Sequence, residues 1–274
     1  MNRRNDTEFI NINELKKKQI VDKIPEPIIY SPEDYGISAK YTGEKVKILI
    51  IDSGVPTHKN IKNKKESHNF ADENGETNDD TGHSTIVSGL IGSKNKQSLI
   101  GIAYNSELLF AKIINNKGDS DYNSIVSSIL WGVVEDVDII VMALGSQYDY
   151  KILHDAIIKA RNRGICIFAA AGNHINEEGS EINYPARYPE VFSVGNLTRS
   201  KKTNLKILEK VDFAIKNKMT YSTYLKNKYV KTSGSSIATA IVAGIGSILI
   251  EKNKRTSKKN MPTKIYTELQ KIIG

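Results

Sequence analysis

An aspartate, a histidine and a serine, in that order along the chain, carry the chemistry this sequence offers most plainly. Asp52 follows the β-branched apolar run 46–51 and precedes Ser53-Gly54, so it stands where a strand gives way to a turn. Gly82-His83 and Gly234-Ser235-Ser236 each open a stretch with helical apolar spacing. Gly145-Ser146 and Gly172-Asn173 follow two further apolar runs. An acid, a base, a hydroxyl and an amide therefore all fall at element ends. Taken singly, Asp52 and Asn173 read as turn residues. Together the four describe acyl transfer. A serine hydroxyl is a weak nucleophile until a base takes its proton. Histidine suits that task because its ordinary pKa lies near the working pH. A buried carboxylate fixes the histidine tautomer and stabilises the imidazolium. The oxyanion then needs donors. A side-chain amide is one source, and the N–H groups at a helix start, where Ser236 stands, are another.

The elements that must position these residues are legible as runs and periods. Strands are expected at 46–51, 107–114, 138–144, 165–171 and 191–194. Helices are expected at 83–91, 121–134 with Ser120 as N-cap, 150–161 stopped by Gly164, 235–250 and 263–272. Their alternation predicts an α/β fold with a largely parallel central sheet. Uninterrupted apolar strands suit a sheet with helices on both faces, three layers in all. In such sheets ligands bind beyond the carboxyl ends of the strands, where the candidate residues fall. Residues 1–44 are polar, carry Lys16-Lys17-Lys18 and hold Pro25, Pro27 and Pro32. They read as an N-terminal extension to one domain over 45–274. The basic cluster 252–259 reads as a solvated linker.

Composition bounds the rest. A chain of 274 residues, 39% hydrophobic and 26% charged, can bury a core without covalent staples. The single Cys166 excludes an intramolecular disulfide and a cysteine zinc site, and its apolar run makes it an inert core thiol. A net charge of +8 is moderate, and the basic cluster has no interleaved aromatics, so no nucleic-acid partner is expected. No apolar leader follows Arg3-Arg4, and the longest nearly apolar run, 238–250, is too short to span a bilayer. The expectation is a cytoplasmic protein with no membrane partner. Residues 71–80 hold Asp72, Glu73, Glu76, Asp79 and Asp80. These acids could attract calcium, but their spacing is not that of an EF-hand, and they read as a solvated loop. His58, His68, His154 and His174 show no ligand spacing, so no metal site is expected. The oligomeric state is left open.

Four ordered pieces resemble the subtilisin-like serine proteases. They are Ile50-Ile51-Asp52-Ser53-Gly54, Thr81-Gly82-His83-Ser84-Thr85, Ala169-Ala170-Ala171-Gly172-Asn173 and Gly234-Ser235-Ser236-Ile237-Ala238. The separations, 31 residues from Asp52 to His83 and 153 from His83 to Ser236, agree with that family. Within it the chain is similar to the bacterial intracellular subtilisins. The resemblance implies a serine endopeptidase acting on a peptide or protein, with no cofactor required. It makes Ser236 the nucleophile, His83 the general base and acid, Asp52 its orienting carboxylate and Asn173 the oxyanion amide. It makes Leu144-Gly145-Ser146 the edge on which an extended substrate adds as a strand. It sets Asn183 in the pocket on the acyl side of the cut bond. It also implies an N-terminal segment able to block the cleft, for which Thr7 to Asn13 is the candidate strand. The many calcium loops of the family fall at 93–98 here, where there are two lysines and no acid. The chain departs from the family's pattern at Ser84 and Ile86 beside the histidine, and at Ser235, Ile237 and Ala240 around the nucleophile. The alternative reading is a catalytically weak or inactive relative that uses the same cleft to hold a peptide or protein.

Overall fold

Apolar runs that alternate with helices become a sheet buried on both faces. A computed structural model describes residues 18–72, 74–115, 118–172, 182–197, 210–216 and 219–273. The elements in chain order are β1 (Gln19–Val21), β2 (Ile28–Ile29), β3 (Lys47–Asp52), β4 (Lys64–Asn69), α1 (His83–Gly92), β5 (Lys94–Asn95), β6 (Leu99–Ile100), β7 (Glu107–Lys112), α2 (Tyr122–Val134), β8 (Ile139–Met142), α3 (Lys151–Asn162), β9 (Cys166–Ala170), β10 (Phe192–Asn196), β11 (Phe213–Ile215), β12 (Thr220–Thr223), β13 (Tyr229–Thr232), α4 (Ser235–Lys252) and α5 (Met261–Ile273). The main sheet has the order β11-β10-β9-β8-β3-β7-β4, and every neighbouring pair is parallel.

Side chains of successive strand residues point to opposite faces. In β3, Ile48 and Ile50 enter one core while Leu49 and Ile51 enter the other. Cys166 and Phe168 of β9 face the first core, Ile167 and Ala169 the second. Helices α1, α4 and α5 cover the first face, and α2 and α3 the second. This is the expected three-layer α/β arrangement. Helix α4 is buried from Ser235 to Ile250. By length and composition it is the one described helix apolar enough to cross a membrane, and here it packs against α1, α5 and the sheet.

Two expectations need correction. The N-cap of α2 is Asp121, not Ser120. Asp121 has the extended backbone of a cap, and its Oδ1 accepts the Ser124 N–H at 2.8 Å. Strand β4 was unforeseen because Lys64-Lys65-Glu66-Ser67-His68-Asn69 carries no apolar signal. It is an edge strand with five of its six residues exposed, and charge on an edge discourages pairing with another chain. The described part of the N-terminal region is tied to the domain: β1 pairs antiparallel with β13, and β2 pairs parallel with β6. The segment Thr7 to Asn13 lies outside the described residues.

Candidate active site

The central strands deliver the candidate residues to one end of the sheet. Asp52 is the last residue of β3, Ala143 follows β8, and Gly172 lies two residues past β9. His83 is the first residue of α1, and Ser236 the second of α4. The two helices pack on each other on the same face, which brings their first turns together.

His83 Nδ1 lies 2.8 Å from both carboxylate oxygens of Asp52. Asp52 is fully buried and His83 is 3% exposed. An ionised carboxylate only accepts, so Nδ1 carries the proton and Nε2 presents its lone pair. The N–H of Ser53 donates to Asp52 Oδ1 at 2.7 Å and helps hold the carboxylate in place.

Ser236 stands at the start of α4, as expected. Its hydroxyl donates to the backbone carbonyl of Ala143 at 2.8 Å. Among the described residues, no hydrogen bond joins Ser236 Oγ to His83. The Asp–His half of the constellation is therefore assembled. The serine half is in place with its proton directed at the end of β8.

The position before His83 requires glycine. Gly82 has φ 85° and a Cβ there would lie 2.4 Å from Cε2 of Tyr224. A glycine cap brings no side chain to the N–H groups of the helix start, and Asp79 supplies one. Its Oδ1 accepts Gly82 N–H at 2.8 Å and its Oδ2 accepts Thr85 N–H at 2.8 Å. This corrects the reading of 71–80 as a uniformly solvated loop, since Asp79 is 5% exposed. Asp80 is exposed but pairs with the buried Lys112 at 2.5 Å, and Lys112 also donates to the Asn78 carbonyl at 2.6 Å. The sequence did hold a signal. Asp79-Asp80-Thr81 forms an Asx turn, Thr81 N–H to Asp79 Oδ1 at 3.1 Å, just ahead of the helix. Among the described residues, no group of three or more His, Cys, Asp or Glu side chains gathers as a metal site would need.

Past the end of β8, Leu144 is buried while Gly145 and Ser146 are half-buried. Ser146 forms an antiparallel bridge with Tyr184: its N–H donates to the Tyr184 carbonyl at 2.8 Å, and its carbonyl accepts the Tyr184 N–H at 2.7 Å. Gly145 takes no part in that bridge or in a strand. Crowding fixes it as glycine, because a Cβ would lie 2.9 Å from Asn183 Cβ. Asn183 also sits 2.7 Å from where a Cβ on Gly172 would be, so it lies between the ends of β8 and β9. Asn173 and His174 lie outside the described residues.

Away from the Asp–His pair, burial strongly shifts several described titratable groups, His58 and Cys166 among them. Burial lowers the pKa of His58 to about 4, against the opposing pull of the Asn227 and Lys228 carbonyls. Burial raises the Cys166 thiol to about 12, which fits an inert core position.

Residues 43–271 match the model of the subtilase family. The chain is 34% identical over 220 residues to the minor extracellular protease Epr of Bacillus subtilis (strain 168), covering 78% of this chain and 33% of that protein. It is 33% identical over 218 residues to subtilisin DY of Bacillus licheniformis, 77% and 79% of the two chains. It is 30% identical over 271 residues to an intracellular serine protease of Paenibacillus polymyxa, 94% and 82% of the two chains. The matched part thus spans a third of Epr and about four fifths of the other two relatives.

Proposed function

This chain belongs to the subtilase family of serine-type endopeptidases, and from that premise we propose that it cleaves peptide bonds through Asp52, His83 and Ser236 by way of an acyl-enzyme. The observation that carries the reading is the buried Asp52–His83 pair, with Ser236 on the adjoining helix start at the same end of the sheet. The Ser236 hydroxyl leaves the Ala143 carbonyl and turns to His83 Nε2. His83 takes the proton as Oγ bonds to the substrate carbonyl carbon. Asp52 balances the imidazolium charge. The oxyanion meets the N-terminal end of α4, and the family resemblance adds the Asn173 amide. His83 then protonates the leaving amine. Water, deprotonated by His83, bonds to the acyl carbon, the Oγ–carbon bond breaks, and His83 returns the proton to Ser236 Oγ. Side chains cover every proton transfer, so the reading calls for no cofactor.

In the same reading Leu144, Gly145 and Ser146 form the edge that receives the substrate, with the unbridged Gly145 as its pairing position. Asn183 lines the adjoining pocket. The setting is cytoplasmic, as the printed name of the Paenibacillus relative suggests. Residues 1–44 act in this reading as an inhibitory extension to the peptidase domain. Lys18, where the described chain begins, lies with its Nζ 5.7 Å from the Tyr224 ring that packs on Gly82. The extension thus enters the domain beside the His83 end of the site. Removing residues 1–18 is expected to raise turnover.

One observation favours a catalytically silent relative that binds a peptide: the Ser236 proton is directed at Ala143 and not at His83. A fluorophosphonate, which reacts with an activated serine, separates the two. One adduct by intact mass on wild type, and none on Ser236→Ala, supports the peptidase. No adduct on folded protein, with or without residues 1–18, supports the binding protein.

A further inference from the structure

Asp79 does more than its place in an acidic loop requires. Its Oδ1 accepts the Ser53 hydroxyl at 2.8 Å, Thr81 N–H at 3.1 Å and Gly82 N–H at 2.8 Å. Its Oδ2 accepts Thr85 N–H at 2.8 Å and the Thr85 hydroxyl at 2.6 Å. No basic side chain among the described residues comes within ion-pair distance of it. Burying a carboxylate costs several kcal/mol unless donors surround it, and a buried charge is weak evidence for stability as such. What this charge supplies is geometry.

Its partners lie on both sides of the Asp52–His83 bond. Ser53 is the residue after Asp52. Its N–H donates to Asp52 while its hydroxyl donates to Asp79. That same hydroxyl oxygen accepts the N–H of Ser84, the residue after His83, at 3.0 Å. Gly82 and Thr85 belong to the first turn that carries His83. The strand end holding the acid and the helix start holding the base are thus fastened to one buried carboxylate.

We propose that Asp79 is a positioning residue for the Asp52–His83 pair, acting through the Ser53 hydroxyl and the first turn of α1. The inference rests on His83 as the general base. Removing the tie leaves all reacting groups present but lets the pair lose register. Misplacement of reacting groups by an ångström lowers rates by about a hundredfold, so a partial loosening is expected to lower kcat by roughly 10- to 100-fold with KM unchanged.

The test compares Asp79→Asn, Ser53→Ala and the double variant in a peptide-cleavage assay. It also follows the downfield proton resonance of His83 Nδ1–H, which reports the bond to Asp52 and which a general loss of stability in a still-folded protein would not move. The expected result is a kcat loss in each single variant, a broadened or shifted resonance, and a double variant little worse than Asp79→Asn, as a shared tie requires. A folded Asp79→Asn with wild-type kcat overturns the proposal. So does a loss confined to KM, or single effects that multiply in the double variant. If Asp79→Asn does not fold, Ser53→Ala decides alone, and unchanged kcat with an unchanged resonance overturns the proposal. If the wild type cleaves no peptide and takes no fluorophosphonate, the peptidase reading has failed. The resonance then still tests the tie between Asp79 and the Asp52–His83 bond.

Discussion

Helices α1 and α4 both begin at the site, both follow a glycine with no capping side chain of its own, and both carry a reacting residue in their first turn. They differ in what meets the helix start. At α1 a buried carboxylate, Asp79, bonds the first-turn N–H groups at 2.8 Å. At α4 no acidic residue stands in the first turn and no N-cap side chain bonds it. A helix start favours negative charge. At α1 the Asp79 carboxylate meets that preference and, in its proposed role, positions the base. In the proposed reaction the anion that meets the α4 start is the oxyanion, which exists only while the substrate reacts. On these proposals a single local device serves positioning at one end of the cleft and charge stabilisation at the other.

The sharpest break of this comparison is at α4. Ser236→Ala is expected to lower kcat by about 10⁶, the scale seen when the nucleophile of such a triad is removed. Hydrolysis of a peptide substrate measures it, and a wild-type rate in the variant would end the assignment. Asn173→Ala removes one oxyanion donor and leaves the nucleophile. Its loss is expected to be about 10²–10³ in kcat, with measurable activity remaining. The α1 end, tested by Asp79→Asn, should lie below both, because positioning modulates a reaction whose groups are all present.

The sequence made the candidate reacting residues far more legible than the contacts that hold them, and the reason is physical. Asp52, His83 and Ser236 sit at switches of period, where an apolar strand or helix meets glycine, so their positions stand out. The three central strands that bring them together are buried on both faces and read as unbroken apolar runs. Asp79 sits among four other acids, and its Asx-turn pattern ahead of the helix marks a turn without showing that this carboxylate is buried. Its role depends on Ser53, 26 residues earlier, whose hydroxyl direction no pattern reveals. The same holds for the Ala143 carbonyl that accepts the Ser236 proton. A backbone acceptor has no signature in side-chain identity. Strand β4 escaped because an edge strand is held by its ladder and not by apolar residues.

Outside the proposed triad, His58 carries a pH dependence of stability. His58 is 2% exposed, accepts Asn60 N–H on Nδ1 at 3.2 Å and packs edge-on against Tyr229. Its folded pKa of about 4 lies below the ordinary 6.5, so the unfolded chain binds the proton more readily between those values. Stability from this group is complete above about pH 6.5 and is lost as pH falls toward 4. The loss approaches about 3 kcal/mol for a shift of this size. Urea unfolding at several values across that window should show a steeper decline in wild type than in His58→Asn, which keeps an acceptor for Asn60. Parallel declines in the two proteins would remove His58 as the cause.

The smallest expected effect lies inside the α1 end itself. Ser84 follows His83, at one of the positions where the chain departs from the pattern of the family it resembles. It is fully buried and its hydroxyl has no hydrogen-bond partner among the described residues, while its N–H donates to the Ser53 hydroxyl and its carbonyl accepts the Ser88 hydroxyl at 2.6 Å. An unsatisfied buried hydroxyl is destabilising, so Ser84→Ala should raise the unfolding free energy by about 1 kcal/mol. Ser84→Gly removes the same hydroxyl but gives up about 1 kcal/mol of helix propensity, and should end near wild type. The two variants therefore separate the cost of the hydroxyl from the cost of the backbone. Urea midpoints in the order Ala above Gly, with Gly near wild type, would place that cost in the missing partner. A wild type more stable than Ser84→Ala would mean that the hydroxyl is bonded, and that the fixed end of the cleft is held by one more tie than Asp79 and Ser53 provide.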